Sequence, residues 1–266
     1  MTTIDTDALA ERLLQVYAGA PPTEPFTPDL PPGTDLSTAY RVQQAQVSRW
    51  VGAGDVIKGH KVGLASRAMQ RQMGVDQPDF GHLTARMFHS EYAPISPGAF
   101  IQPRIEPEIA FVLGSPLCGP GVTIADAVRA VDHVVASLEI VDSRIADWRI
   151  KIFDTVADNA SSAGVVLGSR PMLLQDVDLS LMGCNLSING DLVATGAGGA
   201  VLGSPLISLV WLANTLGALG VSLEPGHVVL PGSMTAAFPV APGDQVVAQM
   251  AGLGTVTAVL AEGDDQ

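Results

Sequence analysis

The chain has 266 residues, with 47% hydrophobic and 15% charged residues, a composition that describes a core-rich globular protein and excludes a disordered one. Its formal net charge is −13, from 27 acidic against 14 basic residues, and no basic stripe is present, which argues against nucleic acid and against an anionic membrane surface as partners. Cys118 and Cys184 are the only cysteines, too few and too far apart for a disulfide framework or a zinc pattern.

The N-terminal segment carries Asp5, Asp7 and Glu11 and lacks the basic-then-apolar order of a signal peptide, so a cytoplasmic location is expected. Leu9, Leu13 and Val16 lie near helical spacing and predict a first helix, which the Pro-rich stretch from Pro21 to Pro32 ends. A second helix is predicted from an N-cap at Ser37, with Tyr40, Val47 and Val51 on its apolar face and Gln43 and Gln44 interrupting it. Residues 1–52 thus read as a helical N-terminal region, and residues 53–266 as a β-rich domain.

Within that domain Lys58 to Leu64 predicts a strand, Ser66 to Met73 a short helix and Glu108 to Leu113 a second strand. Thr123 and Asp126 have capping-box spacing and predict a helix to about Val135, followed by a strand from Ser137 to Asp142. Asn189-Gly190 between two apolar runs signals a tight hairpin. Ser204-Pro205 opens an apolar helix that stops near Gly217 or Gly220, and three short strands close the chain. The stretch from Ala197 to Val221 is broken by Ser204-Pro205 and several glycines, which rejects it as a membrane span. Strands outnumber crossover helices, so the fold class is α+β and not a doubly wound sheet.

Glu106 and Glu108 lie two apart on an extended segment and therefore share a face. Like charges that close repel unless a cation sits between them, and a hard divalent ion with oxygen ligands is the simplest such cation. An exposed acidic strand edge is the alternative. Glu139 shifts the balance, because it stands in the apolar run Ala136 to Val141, where a carboxylate needs a partner. Asp142 and Arg144 read as a salt bridge just beyond that strand.

Lys61 lies in the glycine-flanked segment Gly59 to Leu64. Drawn inward, it would have its pKa lowered by burial and could serve as an acid/base group or a carboxylate anchor; otherwise it snorkels at the surface. His60 would face the opposite way, and His82, His89, His133 and His227 show no metal-ligand spacing. The polar run Asp154 to Ser162 reads as a loop that caps turns or binds anions. Gly196 to Gly199 lacks the pattern of a phosphate loop, and no nucleophile elbow is present.

Lys61-Val62-Gly63-Leu64, Gln77-Pro78-Asp79-Phe80-Gly81, Arg104 to Phe111, Glu139 to Arg144 and Asp154 to Ser162 together resemble the 2-oxopent-4-enoate hydratase / 4-oxalocrotonate decarboxylase family of the fumarylacetoacetate hydrolase superfamily. The likeness runs from about Ala39 to Leu260. It implies a mixed β-roll behind a helical N-terminal region, and Mg²⁺ or Mn²⁺ held by Glu106, Glu108 and Glu139. It also implies Lys61 and Asp79 as catalytic groups and Asn159 and Ser161 beside the substrate. Relatives of this kind form homo-oligomers, and such decarboxylases associate with their hydratases.

Gln77 to Gly81, Asp147-Trp148 and Asp154 to Val156 look like the hydratases, whereas Gly232 to Ala237, with Ser233 expected at the substrate, looks like the decarboxylases. The expected reaction is therefore hydration of 2-hydroxypenta-2,4-dienoate, a small 2-enol acid, in aromatic meta-cleavage degradation. Decarboxylation of 4-oxalocrotonate is the alternative. A non-catalytic partner subunit is a third reading, which the intact acidic set and Lys61 disfavour.

Overall fold

The computed structural model describes residues 4–263. Two helices come first, α1 (Thr6–Tyr17), capped by Asp5, and α2 (Leu36–Gly52). The cap of α2 is Asp35 and not Ser37: its carboxylate accepts from Thr38 N at 3.1 Å and from the Ser37 hydroxyl at 2.8 Å. The buried face of α2 comprises Ala39, Val42, Gln43, Gln46, Val47 and Trp50, while Val51 is exposed. Of the two glutamines that interrupt the apolar pattern, Gln43 lies within the packed face, with Gln46 one turn on, whereas Gln44 is exposed.

The rest of the chain folds as β1 (Ile57–Gly63), α3 (Arg67–Met73), β2 (Asp79–Thr84), β3 (Phe88–His89), β4 (Arg104–Leu113), α4 (Ile124–Ala130), β5 (Val131–Val141), α5 (Ile152–Ala157), β6 (Ser162–Leu167), β7 (Gly183–Ile188), β8 (Asp191–Ala197), α6 (Pro205–Ala218), β9 (Val228–Leu230), β10 (Phe238–Pro239), β11 (Gln245–Met250) and β12 (Gly254–Val259). The capping box at Thr123 forms, but α4 ends at Ala130 and not near Val135. The β-branched pair Val134-Val135 instead belongs to β5, whose pairing with β4 outweighs local helix preference. The Asn189-Gly190 hairpin joins β7 to β8 with both residues at positive φ, as a tight primed turn requires.

Eight strands make one mixed sheet in the order β2-β1-β9-β4-β5-β6-β3, with β10 on β4; β12-β11-β7-β8 form a second, antiparallel sheet. The β1–β9 and β3–β6 pairs are parallel and the others antiparallel. The strand alternation of β5 divides its side chains between two environments. Val134, Ala136, Leu138 and Ile140 enter the main core with Val246, Ala248, Val256 and Ala258 of the second sheet. Val135 belongs to a separate cluster with Ala110, Val165 and Leu230, into which α2 inserts Val47 and Trp50. Glu139 follows the period of Val135, so its carboxylate leaves the main core. This α+β arrangement is a mixed β-roll with helices packed on it.

The polar run at Asp154 to Ser162 is not a surface loop. It forms α5 and a tight turn, and every residue from Phe153 to Ser162 is buried. Asn159, Ala160 and Ser161 lie consecutively at φ 51°, 51° and 58°. Left-handed backbone costs about 1–2 kcal/mol per non-glycine residue and normally occurs singly, so surrounding bonds hold this turn in place. Arg144 supplies one set of them. It pairs with Asp158 at 2.6 Å, and not with Asp142, and its side chain also donates to the Asp158 and Ser162 carbonyls. Asp142 instead accepts the amides of Ile101, Gln102 and Ser143, fixing the chain that leads into β4.

Candidate metal centre and active site

Glu106 stands directly across the β4–β5 ladder from Glu139, and Glu108 from Ser137. Residues facing one another on antiparallel strands have Cβ atoms about 4.5–5.5 Å apart, so the pairing brings three carboxylates together. One oxygen from each of Glu106, Glu108 and Glu139 lies within 4.8 Å of the others. Glu108 and Glu139 are buried, and Glu106 stands at the partly open rim.

Four features fix this cluster. The Ser137 hydroxyl donates to the Glu108 carbonyl at 2.8 Å. The Gly232 amide donates to Glu108 Oε2 at 2.7 Å, which places Ser233 beside the cluster. Gly232 has φ 122°, and a Cβ there would meet Ala65 Cβ at 2.3 Å, so only glycine can bring its amide this close. Lys61, paired with Leu230 on β9, reaches Glu139 Oε1 at 3.2 Å.

One lysine facing three carboxylates, two of them buried, leaves negative charge in excess. Burial, then Glu139, push Glu106 up to about 7, and burial with both neighbouring carboxylates pushes Glu108 well above the usual range. Glu139 is raised by burial against the pull of Lys61. For Lys61, burial alone would lower the pKa, but Glu139, Asp79, Glu106 and Glu108 outweigh it and the net direction is upward. This direction is opposite to the expected lowering, and the surrounding carboxylates favour the charged form of Lys61. Among the described residues Glu108 Oε1 and Glu139 Oε2 are buried without a hydrogen-bond partner. Hard oxygen donors, surplus negative charge and orphaned lone pairs fit a small divalent cation.

Asp79 opens β2 opposite Gly63. A Cβ on Gly63 would stand 2.1 Å from Asp79 Oδ1, so the carboxylate lies over bare backbone two residues from Lys61. Burial raises Asp79 to about 6 against the attraction of Lys61, and its Oδ1 has no hydrogen-bond partner among the described residues. Beside it Tyr40 stacks on Phe80, ring centroids 4.4 Å apart.

The chain matches the fumarylacetoacetate (FAA) hydrolase C-terminal family model over residues 43–261. It belongs to that family. Among FAA hydrolase relatives, a 2-keto-4-pentenoate hydratase of Burkholderia vietnamiensis is 43% identical over 255 residues, covering 96% of this chain and 97% of the relative. A 2-hydroxypent-2,4-dienoate hydratase of Pseudomonas putida is 46% identical over 212 residues, covering 78% of this chain and 95% of the relative. A solved structure of 4-oxalocrotonate decarboxylase from Pseudomonas putida G7, complexed with magnesium and adipate, superposes with a TM-score of 0.92 at 37% identity over 96% of this chain and 97% of the other.

Within this FAA hydrolase fold the structure brings together Lys61, Asp79, Glu106, Glu108 and Glu139, with Ser233 adjoining through Gly232. Ser161 is buried, its hydroxyl 3.2 Å from that of Thr155. Asn159 is also buried: its Oδ1 accepts from His82 N at 2.8 Å and its Nδ2 donates to His82 O at 2.9 Å, so both ends of the amide engage main chain. Sequence reasoning missed Gly63 and Gln43, whose Nε2 donates to the Phe80 and Val156 carbonyls at 3.0 and 2.9 Å. An amide inside an otherwise apolar helix face was the available signal for Gln43, since such a group is buried only with partners. His60 and His82 are buried, with ring centroids 5.0 Å apart, and neither belongs to the acidic cluster.

Proposed function

We propose that this protein is a lyase that adds water to 2-hydroxypenta-2,4-dienoate, or a substituted homologue, to give the 4-hydroxy-2-oxo acid, using Mg²⁺ or Mn²⁺ held by Glu106, Glu108 and Glu139. The observation that carries it is the meeting of those three carboxylates across β4 and β5, with Lys61 and Asp79 on the adjoining strands. When bound, the ion supplies Lewis acidity toward the carboxylate and C2 oxygens of a 2-oxo acid. Everything else falls to the protein. Lys61 keeps Glu139 in place and presents a cation to the substrate's negative end. Asp79, raised by burial into the range where it can hold or release a proton near neutrality, delivers one from its carboxyl to C5 of the dienol while the C2 hydroxyl gives up its proton to solvent, giving the conjugated 2-oxo-3-enoate. The resulting carboxylate takes a proton from water as the water oxygen bonds to C4, and C3 takes from solvent a proton equivalent to the one the C2 hydroxyl gave up. The net change is addition of one water. Ser161 and Ser233 are assigned to substrate hydroxyl contacts.

The hydratase reading is supported by relatives of that name at 43–46% identity. Decarboxylation of 4-oxalocrotonate is the second reading, supported by the 0.92 TM-score with that decarboxylase and by the Gly232 to Ala237 segment. Both reactions place negative charge on the C2 oxygen and differ at the distal end of the substrate.

The deciding experiment offers purified protein both acids, with and without Mg²⁺, and follows ultraviolet absorbance and carbon dioxide. Metal-dependent loss of the dienol acid without carbon dioxide is expected; carbon dioxide from 4-oxalocrotonate would transfer the assignment, and no turnover of either would overturn it.

No helix among the described residues is long and apolar enough to cross a membrane. A cytoplasmic homo-oligomer, with contact to a pathway neighbour, completes the proposal. Trp211 and Val210, only partly buried on α6, and exposed Ile207 support a subunit contact there, which sedimentation measurements would detect.

A further inference from the structure

The strand that begins with Asp79 ends the order of its sheet: β2 pairs with β1 on one side and with no strand on the other, among the described residues. In antiparallel pairing alternate residues direct their main-chain groups to opposite edges. Phe80 and His82, two apart on β2, turn theirs to the outer edge. The Phe80 carbonyl and both main-chain groups of His82 are taken by side-chain amides. Gln43 of α2 donates to Phe80 O at 3.0 Å and, from the same nitrogen, to Val156 O on α5 at 2.9 Å. Asn159 both accepts from His82 N and donates to His82 O, as a neighbouring strand residue would.

Asn159 can reach this edge because it starts the left-handed turn Asn159–Ser161. Asparagine tolerates that conformation better than most residues. The turn lies so close that a Cβ on Gly81 would meet Asn159 O at 2.4 Å. On its far side the Ser161 carbonyl accepts from Asp142 N at 2.9 Å, just beyond the end of β5, the strand that carries Glu139. A strained, buried turn is thus bonded to two strands, one bearing Asp79 and one bearing Glu139.

We propose that Asn159 and Gln43 are positioning residues that complete the outer edge of β2 and hold Asp79 in register against Lys61 and the acidic cluster. Neither amide touches substrate in this reading. Together they replace a missing strand with two side chains. The proposal rests on Asp79 as the proton carrier, as assigned above.

The test compares wild type with Asn159→Asp, Asn159→Gly and Gln43→Met. Asn159→Asp keeps an acceptor for His82 N but sets a carboxylate oxygen against His82 O. Asn159→Gly keeps the left-handed backbone and removes the amide, while Gln43→Met keeps the length and removes the donor. Three readouts are taken on folded protein at 25 °C: kcat and KM for the dienol acid, Mn²⁺ affinity by titration, and amide hydrogen exchange of the peptide spanning 79–84.

The expected result is faster exchange in that peptide and kcat lower by about 10- to 100-fold, with KM and Mn²⁺ affinity within about twofold. A merely structural role would lower the melting temperature while leaving kcat of the folded protein unchanged, and that outcome overturns the proposal. Unchanged exchange in all three variants also overturns it. An inactive wild type would sink the assigned reaction at the control, whereas the exchange comparison would still decide whether these amides hold the strand.

Discussion

Replacing Gly63 by alanine tests the geometry of the acid/base pair with the smallest possible change. The new Cβ would lie 2.1 Å from Asp79 Oδ1 and 3.1 Å from Asp79 Cγ, where real Cβ contacts do not fall below 3.0 Å. The carboxylate must therefore withdraw by about 1 Å, a displacement able to lower a rate about 100-fold when the group transfers a proton. Stability should change far less. The atom displaced is the end of a side chain, overpacking costs about 1–3 kcal/mol, and alanine in a strand recovers about 0.5–1 kcal/mol relative to glycine. Net destabilisation of less than about 2 kcal/mol is expected from these opposing contributions. The assay is kcat for the dienol acid beside a urea melt and a Mg²⁺ titration, since Glu106, Glu108 and Glu139 are on other strands. Wild-type kcat in a folded Gly63→Ala protein would refute the placement of Asp79 as the proton carrier, as would a loss confined to metal affinity.

Glu108→Gln removes one of three anionic donors and should weaken Mg²⁺ or Mn²⁺ binding by more than about tenfold; undiminished activity at limiting metal would remove the site. Because burial raises Glu106 to about 7, the metal-free site holds protons that the ion must displace, so affinity should fall as pH drops below about 7. Calorimetry in two buffers of different ionisation enthalpy would reveal those released protons, and buffer-independent heats would contradict the charge excess. His82 is lowered by burial from 6.5 to about 4. The unfolded chain gains its proton first as pH falls, so stability should decline by about 3 kcal/mol between pH 6.5 and 4; His82→Gln should flatten that part of the difference curve in urea midpoints, and two parallel curves would refute it. Arg144→Met leaves Asp158 buried without its cation and should destabilise by about 3–5 kcal/mol, read as a lower urea midpoint; a change under 1 kcal/mol would deny the pair its place in holding the left-handed turn.

Period and turn chemistry carried much of the fold in the sequence. Thr123 and Asp126 act through bonds to near neighbours, and Asn189-Gly190 and Pro205 through their own backbone angles, so their roles are visible locally. The acidic cluster was legible for a related reason: two-residue spacing puts Glu106 and Glu108 on one face, and Glu139 stands out against apolar neighbours. That Glu106 and Glu139 are directly opposite is a matter of register, which no short segment specifies. The direction of the Lys61 shift was misread because burial acts locally, whereas the four carboxylates that outweigh it arrive from β2, β4 and β5. Arg144 was assigned to Asp142 by nearness in sequence, but Asp142 is consumed by three amides and Asp158 is brought in by the turn after α5. The run from Asp154 to Ser162 read as a loop because composition does not show that its polar residues are buried, several of them against distant main chain and side chains.

The facing of Glu106 and Glu139 makes correct folding and metal competence a single event. Sliding β4 by one residue along β5 would turn Glu106 and Glu108 into the apolar interior and Ile105 and Ile109 out of it. A one-residue deletion inside β4 should therefore abolish ion capture outright, whereas an insertion in the connection between Leu113 and Ile124 leaves the alignment free to form.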